Sequence, residues 1–166
     1  MNRFQRLTRI LGAAALLLIG GAAAAPASAQ ARISKLSDVA FGTLSNFATD
    51  SVQAQSVCAY SLGLLGAYHV TASGSGTGGA FTLGNGAGAT LAYEVQWNDS
   101  AGQTSGTGLT SGSALTGQYS GALTSGCTVL GPATTASLIV VIRATALSTA
   151  TAGSYSGVLT IILAPN

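Results

Sequence analysis

Hydrophobic residues along this chain are gathered into short runs separated by Gly, Ser and Thr, and the two strongest runs lie near its C-terminal end. Residues 138–144 form the first run and residues 158–163 the second, and both have the length and the Val, Ile and Leu content of strands. The second run has two apolar faces: Leu159, Ile161 and Leu163 on one, Val158 and Ile162 on the other. We expect both strands to be covered on both faces, inside a sandwich or by another chain.

The rest of the chain alternates more weakly. Residues 90–98 give the clearest period of two, with Leu91, Tyr93, Val95 and Trp97 on one face. Residues 67–72 are typical of a half-exposed strand. A strand with a kink at Gly42 is predicted over 38–44. Short edge strands and loops are predicted over 103–126.

No stretch after the N-terminal region shows a helical period with caps. About seven short strands separated by Gly-rich and Ser-rich turns favour an all-β, antiparallel β-sandwich. We expect one such domain over residues 30–166, without a second domain or a repeat.

The first 29 residues are typical of a cleaved signal peptide. Three arginines, Arg3, Arg6 and Arg9, precede an apolar run over 10–19, and Ala27-Ser28-Ala29 fits a cleavage site. The apolar run is short for a membrane span. We therefore expect a protein secreted through a periplasm, with no membrane contact after cleavage.

Charge is scarce in this chain. Charged residues are 6% of the sequence, against roughly 25% in ordinary soluble domains. After cleavage, three basic and four acidic residues would leave a net charge of −1: Arg32, Lys35 and Arg143 against Asp38, Asp50, Glu94 and Asp99. This distribution offers no basic patch for nucleic acid and suits an assembled protein better than a freely diffusing one.

Two cysteines, Cys58 and Cys127, lie in the predicted domain. In an oxidising compartment, an even pair is most simply a disulfide. A metal site needs more ligands than these two and the distant His69, and a nucleophilic cysteine needs a nearby base. We predict a structural bridge.

Sequence patterns for catalysis or cofactors are weak. Gly74, Gly76 and Gly79 match the spacing of a dinucleotide-binding loop, but no helix follows, so a turn is expected. His69 has no orienting partner in the sequence. Glu94 and Asp99 are expected to project to opposite faces and cannot act as a catalytic pair. We expect no enzyme activity, no cofactor and no metal.

Five short segments in order resemble the spore coat protein U family, the pilins of archaic chaperone–usher pili. They cover most of residues 38–163. The segments are Val39-Ala-Phe-Gly-Thr-Leu44, Ser56-Val-Cys58, Tyr68-His-Val-Thr-Ala-Ser-Gly74, Leu91-Ala-Tyr-Glu-Val-Gln-Trp-Asn-Asp99 and Ala152-Gly-Ser-Tyr-Ser-Gly-Val-Leu-Thr-Ile161.

This resemblance implies an incomplete immunoglobulin-like sandwich that lacks its last strand. It implies a groove lined by Leu159, Ile161 and Leu163, filled first by a periplasmic chaperone and then by a neighbouring subunit. The chain would be a subunit of a surface fibre, exported through an outer-membrane usher, with adhesion or biofilm formation as its role.

A second interpretation stays open. A strand donated by this chain should alternate over a long segment, but residues 30–37 offer only Ile33 and Leu36, which have opposite parity. The chain would then accept a strand without donating one. Alternatively, it is a self-contained secreted coat or binding module that does not polymerise, with Trp97 and Tyr93 as candidate contacts or as core residues.

Overall fold

The computed structural model describes residues 30–128 and 131–166, so the predicted signal peptide lies outside the described residues. This part of the chain is nearly all β-structure with antiparallel pairing, as predicted. Within these residues it holds one short α-helix, α1 (Ala144–Leu147), and two single 3₁₀ turns, Leu64–Gly66 and Thr77–Gly79.

A five-stranded antiparallel sheet forms one layer. In spatial order its strands are β1 (Ala31–Ser34), β2 (Ser51–Ser61), β9 (Ala136–Ile142), β6 (Glu94–Asn98) and β7 (Thr107–Gly108). Every residue of β9 is buried, because β9 lies in the middle of the sheet and is covered on both faces, as its apolar run predicted.

The second layer is a three-stranded antiparallel sheet. Its spatial order is β10 (Leu159–Pro165), β3 (Ala67–Gly74) and β8 (Leu115–Tyr119). A separate hairpin joins β4 (Thr82–Gly84) to β5 (Thr90–Ala92). Because β10 is the last strand of its sheet, its outer edge has no strand partner among the described residues.

The core lies between the layers. The inward face predicted for residues 90–98 is correct, since its four large side chains are buried. Trp97 of the large sheet donates its indole N–H to the Tyr68 hydroxyl of the small sheet at 3.0 Å. Burial raises the pKa of Tyr68 to about 12, so its hydroxyl stays protonated at neutral pH.

Three expectations from the sequence are wrong. Residues 38–44 form no strand, although their apolar side chains pack on the core. Residues 90–98 are two strands, β5 and β6, broken at Tyr93 and paired with different neighbours. β10 is covered on one face only: Ile162 is 58% exposed, because the outer face of this two-layer sandwich meets no third layer.

Cys58 and Cys127 are joined by a disulfide in the structure. Cys58 lies in the buried second half of β2, and Cys127 lies in the loop that follows β8. The bridge therefore ties a loop that has no regular secondary structure to a central part of the large sheet.

Candidate functional site

A large apolar groove of about 1270 Å³ opens beside the first half of β10. Its floor comes from the large sheet, with Leu138, Val140 and Ile142 of β9 alternating into it. One wall carries Leu159 and Ile161 of β10 and the segment 151–158 before it. A cavity needs only about 10–15 Å³ of such space to hold one water, so the groove is far larger than a packing defect.

The opposite wall is the segment 36–47, which we call the strap. Its side chains Val39, Phe41 and Leu44 are partly buried against the core. Among the described residues, no backbone-to-backbone hydrogen bond joins the strap to a strand. The strap therefore has the side-chain pattern of a strand but lacks the backbone hydrogen bonds that pair a strand with its neighbour.

Side chains anchor the strap at its N-terminal end. Lys35 Nζ donates to the carbonyl of Ala133 at 2.6 Å and to that of Cys127 at 3.3 Å. The amide of Ser37 donates to Gln55 Oε1 at 2.8 Å, and Gln55 Nε2 donates back to the Ser37 carbonyl at 3.0 Å. This reciprocal pair takes the place of a ladder step on β2.

An ion cluster closes the other end of the strap. Arg143 bonds the carboxylates of Asp50, at 2.7 Å, and of Glu94. The amide of Ala144 also donates to Asp50 at 2.8 Å. That amide and then Arg143 lower the pKa of Asp50, while Arg143 lowers the pKa of Glu94. The cluster joins the ends of β2, β9 and β6 at the rim of the groove.

The structure places two of the three predicted groove residues in the groove. Leu159 and Ile161 line it, but Leu163 does not. Leu163 lies further along β10, at a smaller cleft formed with Gln30, Ala31 and Arg32. Since β1 lies close to this second half of β10, it closes the groove there.

The sequence did not predict that the strap forms a wall of the groove. The alternation of Val39, Phe41 and Leu44 predicted an ordinary strand, and local sequence does not tell whether a partner strand is available. The floor residues of β9 were predicted as buried, but not as lining an open groove.

The residues considered for catalysis or cofactor binding do not form a common site in the structure. His69 Nδ1 lies 2.9 Å from Asn166 Oδ1, in a contact that ties the end of β10 to β3. Asp99 accepts a bond from the amide of Tyr119, away from the Glu94–Arg143 pair. Gly74 is the last residue of β3, and Gly76 and Gly79 lie in the turn between β3 and β4.

Tyr93 and Trp97 are buried, so they are core residues rather than surface contacts. Residues 30–128 and 131–166 contain no group of three His, Cys, Asp or Glu side chains placed to hold a metal ion. Within the same residues, no helix has the length and apolar character needed to cross a membrane.

No protein-family model and no curated protein matches this chain. Among solved structures, the fold is similar to a chain of a chaperone–tip adhesin complex described as vital for the synergistic activation of CFA/I fimbriae biogenesis. The TM-score is 0.51 at 15% sequence identity, and the match covers 84% of this chain and 43% of the other. This chain thus spans less than half of its neighbour, and the likeness is one of fold.

Proposed function

We propose that this protein is a structural, non-catalytic subunit of a secreted surface fibre, and that its groove accepts a β-strand from another chain. A periplasmic chaperone would supply that strand first and a neighbouring fibre subunit would replace it, with an outer-membrane usher exporting the product. Adhesion or biofilm formation would be the role of the fibre. The observation that carries the proposal is the apolar groove beside the free edge of β10.

An added strand would cover both the free edge of β10 and the apolar groove beside it. Its backbone would pair with the outer N–H and C=O groups of β10, and its alternate side chains would fill the groove. An uncovered edge of this kind favours aggregation, which a chaperone strand would prevent. The resemblance to the spore coat protein U family and the fold of the fimbrial complex both support this assignment.

The arrangement of β1 favours a subunit that accepts a strand. Residues Ala31–Ser34 pair with Ser61 to Cys58 of β2 in the large sheet of their own domain. Donating this segment to a neighbour would break that pairing. The strand that fills the groove would therefore come from a different protein or from a segment other than β1.

Two neighbouring isoleucines allow a matched test. Ile161 lines the groove, whereas Ile162 points to the other face and is exposed. We expect Ile161→Glu to weaken binding of an alternating apolar strand peptide at least tenfold, because a carboxylate would be buried without a partner. Ile162→Glu should bind the peptide as the unmodified protein does.

The assay compares the secreted chain alone, with the peptide, and with a co-expressed chaperone. We expect the chain alone to aggregate or be degraded more readily than the chain with a donated strand, which should rescue it. The proposal would be contradicted if the chain alone were soluble and monomeric, unfolded in one transition and bound none of the strand peptides.

That contrary result would support the second candidate, a self-contained coat or binding module. Its specific support is the strap, which is anchored at both ends and already packs Val39, Phe41 and Leu44 on the core. In this case the strap itself would cover enough of the groove for the domain to remain soluble.

A further inference from the structure

Three leucines project from the end of the sandwich that lies opposite the Arg143 cluster. They are in the connection between β2 and β3, and we call them the leucine tip: Leu62, 58% exposed, Leu64, 81%, and Leu65, 83%. Large exposed apolar side chains that lie together mark a contact surface more often than scattered ones do.

The backbone under the leucine tip is braced. Ser61 Oγ donates to the Ala67 carbonyl at 2.7 Å and accepts the amide of Gly63 at 3.0 Å. Leu65 itself has φ +57°, in the left-handed region that a leucine adopts only at a cost in free energy. The fold thus keeps these leucines exposed at a cost in conformational free energy, which a flexible surface loop would not carry.

The N-terminal part of the chain joins the sandwich at this same point. The amide of Leu62 donates to the carbonyl of Gln30 at 2.8 Å. In the sequence before Gln30, three arginines precede the apolar run 10–19, the pattern that directs a chain to a membrane. Before the predicted cleavage, residues 20–30 could span at most roughly 40 Å, so the tip would stay near the bilayer that holds the apolar run during export.

The surroundings of the tip suit lipid better than a charged partner. Neither 59–66 nor the neighbouring loop 119–128 contains a charged residue, so the three leucines could enter hydrocarbon without a charged neighbour in their own loop. Arg32, which pairs with Tyr60, and Asp99, which accepts the amide of Tyr119, would stay at the level of the lipid headgroups. Tyr119, which pairs with Ala67 beside the tip, is 54% exposed, and tyrosine is enriched at membrane interfaces.

We propose that the leucine tip is a lipid-binding surface that seats this end of the sandwich on a phospholipid bilayer. This departs from the expectation that the chain has no membrane contact after signal cleavage. The groove would lie away from the lipid. The Arg143 cluster, near one end of the groove, lies at the start of β2, and the tip follows the end of β2. The 11 residues of this strand separate the two by roughly 33 Å. The proposal does not depend on strand exchange.

The primary test places a tryptophan at the tip or away from it, in the secreted protein as recovered. Leu64→Trp and Ile162→Trp are mixed separately with phosphatidylethanolamine–phosphatidylglycerol vesicles containing brominated lipid. We expect quenching and a blue shift for Leu64→Trp only, while Trp97 gives an equal buried background in both. Equal quenching of both variants, or of neither, would overturn the proposal.

A vesicle-flotation assay gives a second measurement. Leu64→Ser with Leu65→Ser should lower the bound fraction at least tenfold, since each exposed leucine that enters lipid contributes about 1.5–3 kcal/mol. Ile162→Ser should float like the unmodified protein, and 0.5 M salt should change little. Binding that salt abolishes would indicate an electrostatic contact and would also overturn the proposal. Strand-peptide affinity should be the same in all these variants, so a failed groove would be recognised separately.

Discussion

Arg143 is the residue through which three strand ends at the rim of the groove are held together. Its guanidinium contacts Asp50 at the start of β2 and Glu94 at the start of β6, while Arg143 itself follows β9. All three side chains are partly exposed, so solvent screens the cluster and its energetic contribution is small. Its effect is therefore best detected through pH.

We expect stability to fall in acid through this cluster. The pKa values of Asp50 and Glu94 lie below their ordinary values of 3.8 and 4.5 in the folded protein. A carboxylate with a lowered pKa contributes stability that is present above its ordinary pKa and is lost as the pH falls through the folded value. Urea unfolding should therefore show a free energy of unfolding that declines below about pH 5.

Arg143→Gln should flatten this acid dependence, and Arg32→Gln, at an exposed arginine on β1, should leave it unchanged. If the Arg143 variant kept the full decline, Arg143 would not be its source, and the Ala144 amide bond to Asp50 would remain.

Single residues were predicted well where their surroundings follow from the local pattern. The inward face of 90–98 followed from strict alternation, and a pairing of Cys58 with Cys127 was the simplest use of two cysteines. Leu163 has the same sequence pattern as Ile161 but lies at the smaller cleft rather than at the large groove. Only the approach of β1 from the other sheet distinguishes the two positions.

Among the elements, the loop after β8 depends most on a single covalent bond. The Cys58–Cys127 disulfide closes a separation of 69 residues. In the chain-entropy account, such a bridge stabilises the fold by about 4 kcal/mol, because it restricts the unfolded chain. We expect Cys58→Ala with Cys127→Ala to lower the free energy of unfolding by about that amount.

Urea unfolding of the oxidised, the reduced and the double-alanine proteins would measure this effect. The reduced protein and the alanine variant should agree closely. A loss below about 1 kcal/mol would mean that the loop is held mainly by other contacts, such as those of Lys35 with Cys127 and Ala133.

The strap is a segment whose inward-facing side chains could be predicted from the sequence, although its lack of strand pairing could not. Val39, Phe41 and Leu44 do pack inward, as a strand at this place would require. A strand also needs backbone hydrogen bonds to a neighbour, but β1 pairs only with Cys58 to Ser61 of β2, and beyond it Ser37 bonds the side chain of Gln55 rather than the backbone of β2. The segment therefore stays extended without a ladder, beside a groove.

For the whole molecule, we expect stability to depend on an added strand. A ligand that binds only the folded state raises the free energy of unfolding with its concentration, by about 2.7 kcal/mol at one hundred times its dissociation constant. An alternating apolar peptide should therefore raise the unfolding midpoint steadily as it is titrated.

The matched control is the same peptide with a central proline, which cannot donate all its strand hydrogen bonds and should have little effect. A midpoint that is independent of peptide concentration would show that the groove is not a strand-binding site.

The sequence by itself determined the all-β class, the turns and the complete burial of β9, because these depend on the spacing of apolar residues and on glycine, which act locally. Tertiary structure decided which strand edges remain free, that the strap has no ladder and that β1 closes one end of the groove. It also decided that three leucines of a short connection stand exposed where the N-terminal chain enters. These features depend on contacts between residues far apart in the chain, which no local pattern encodes.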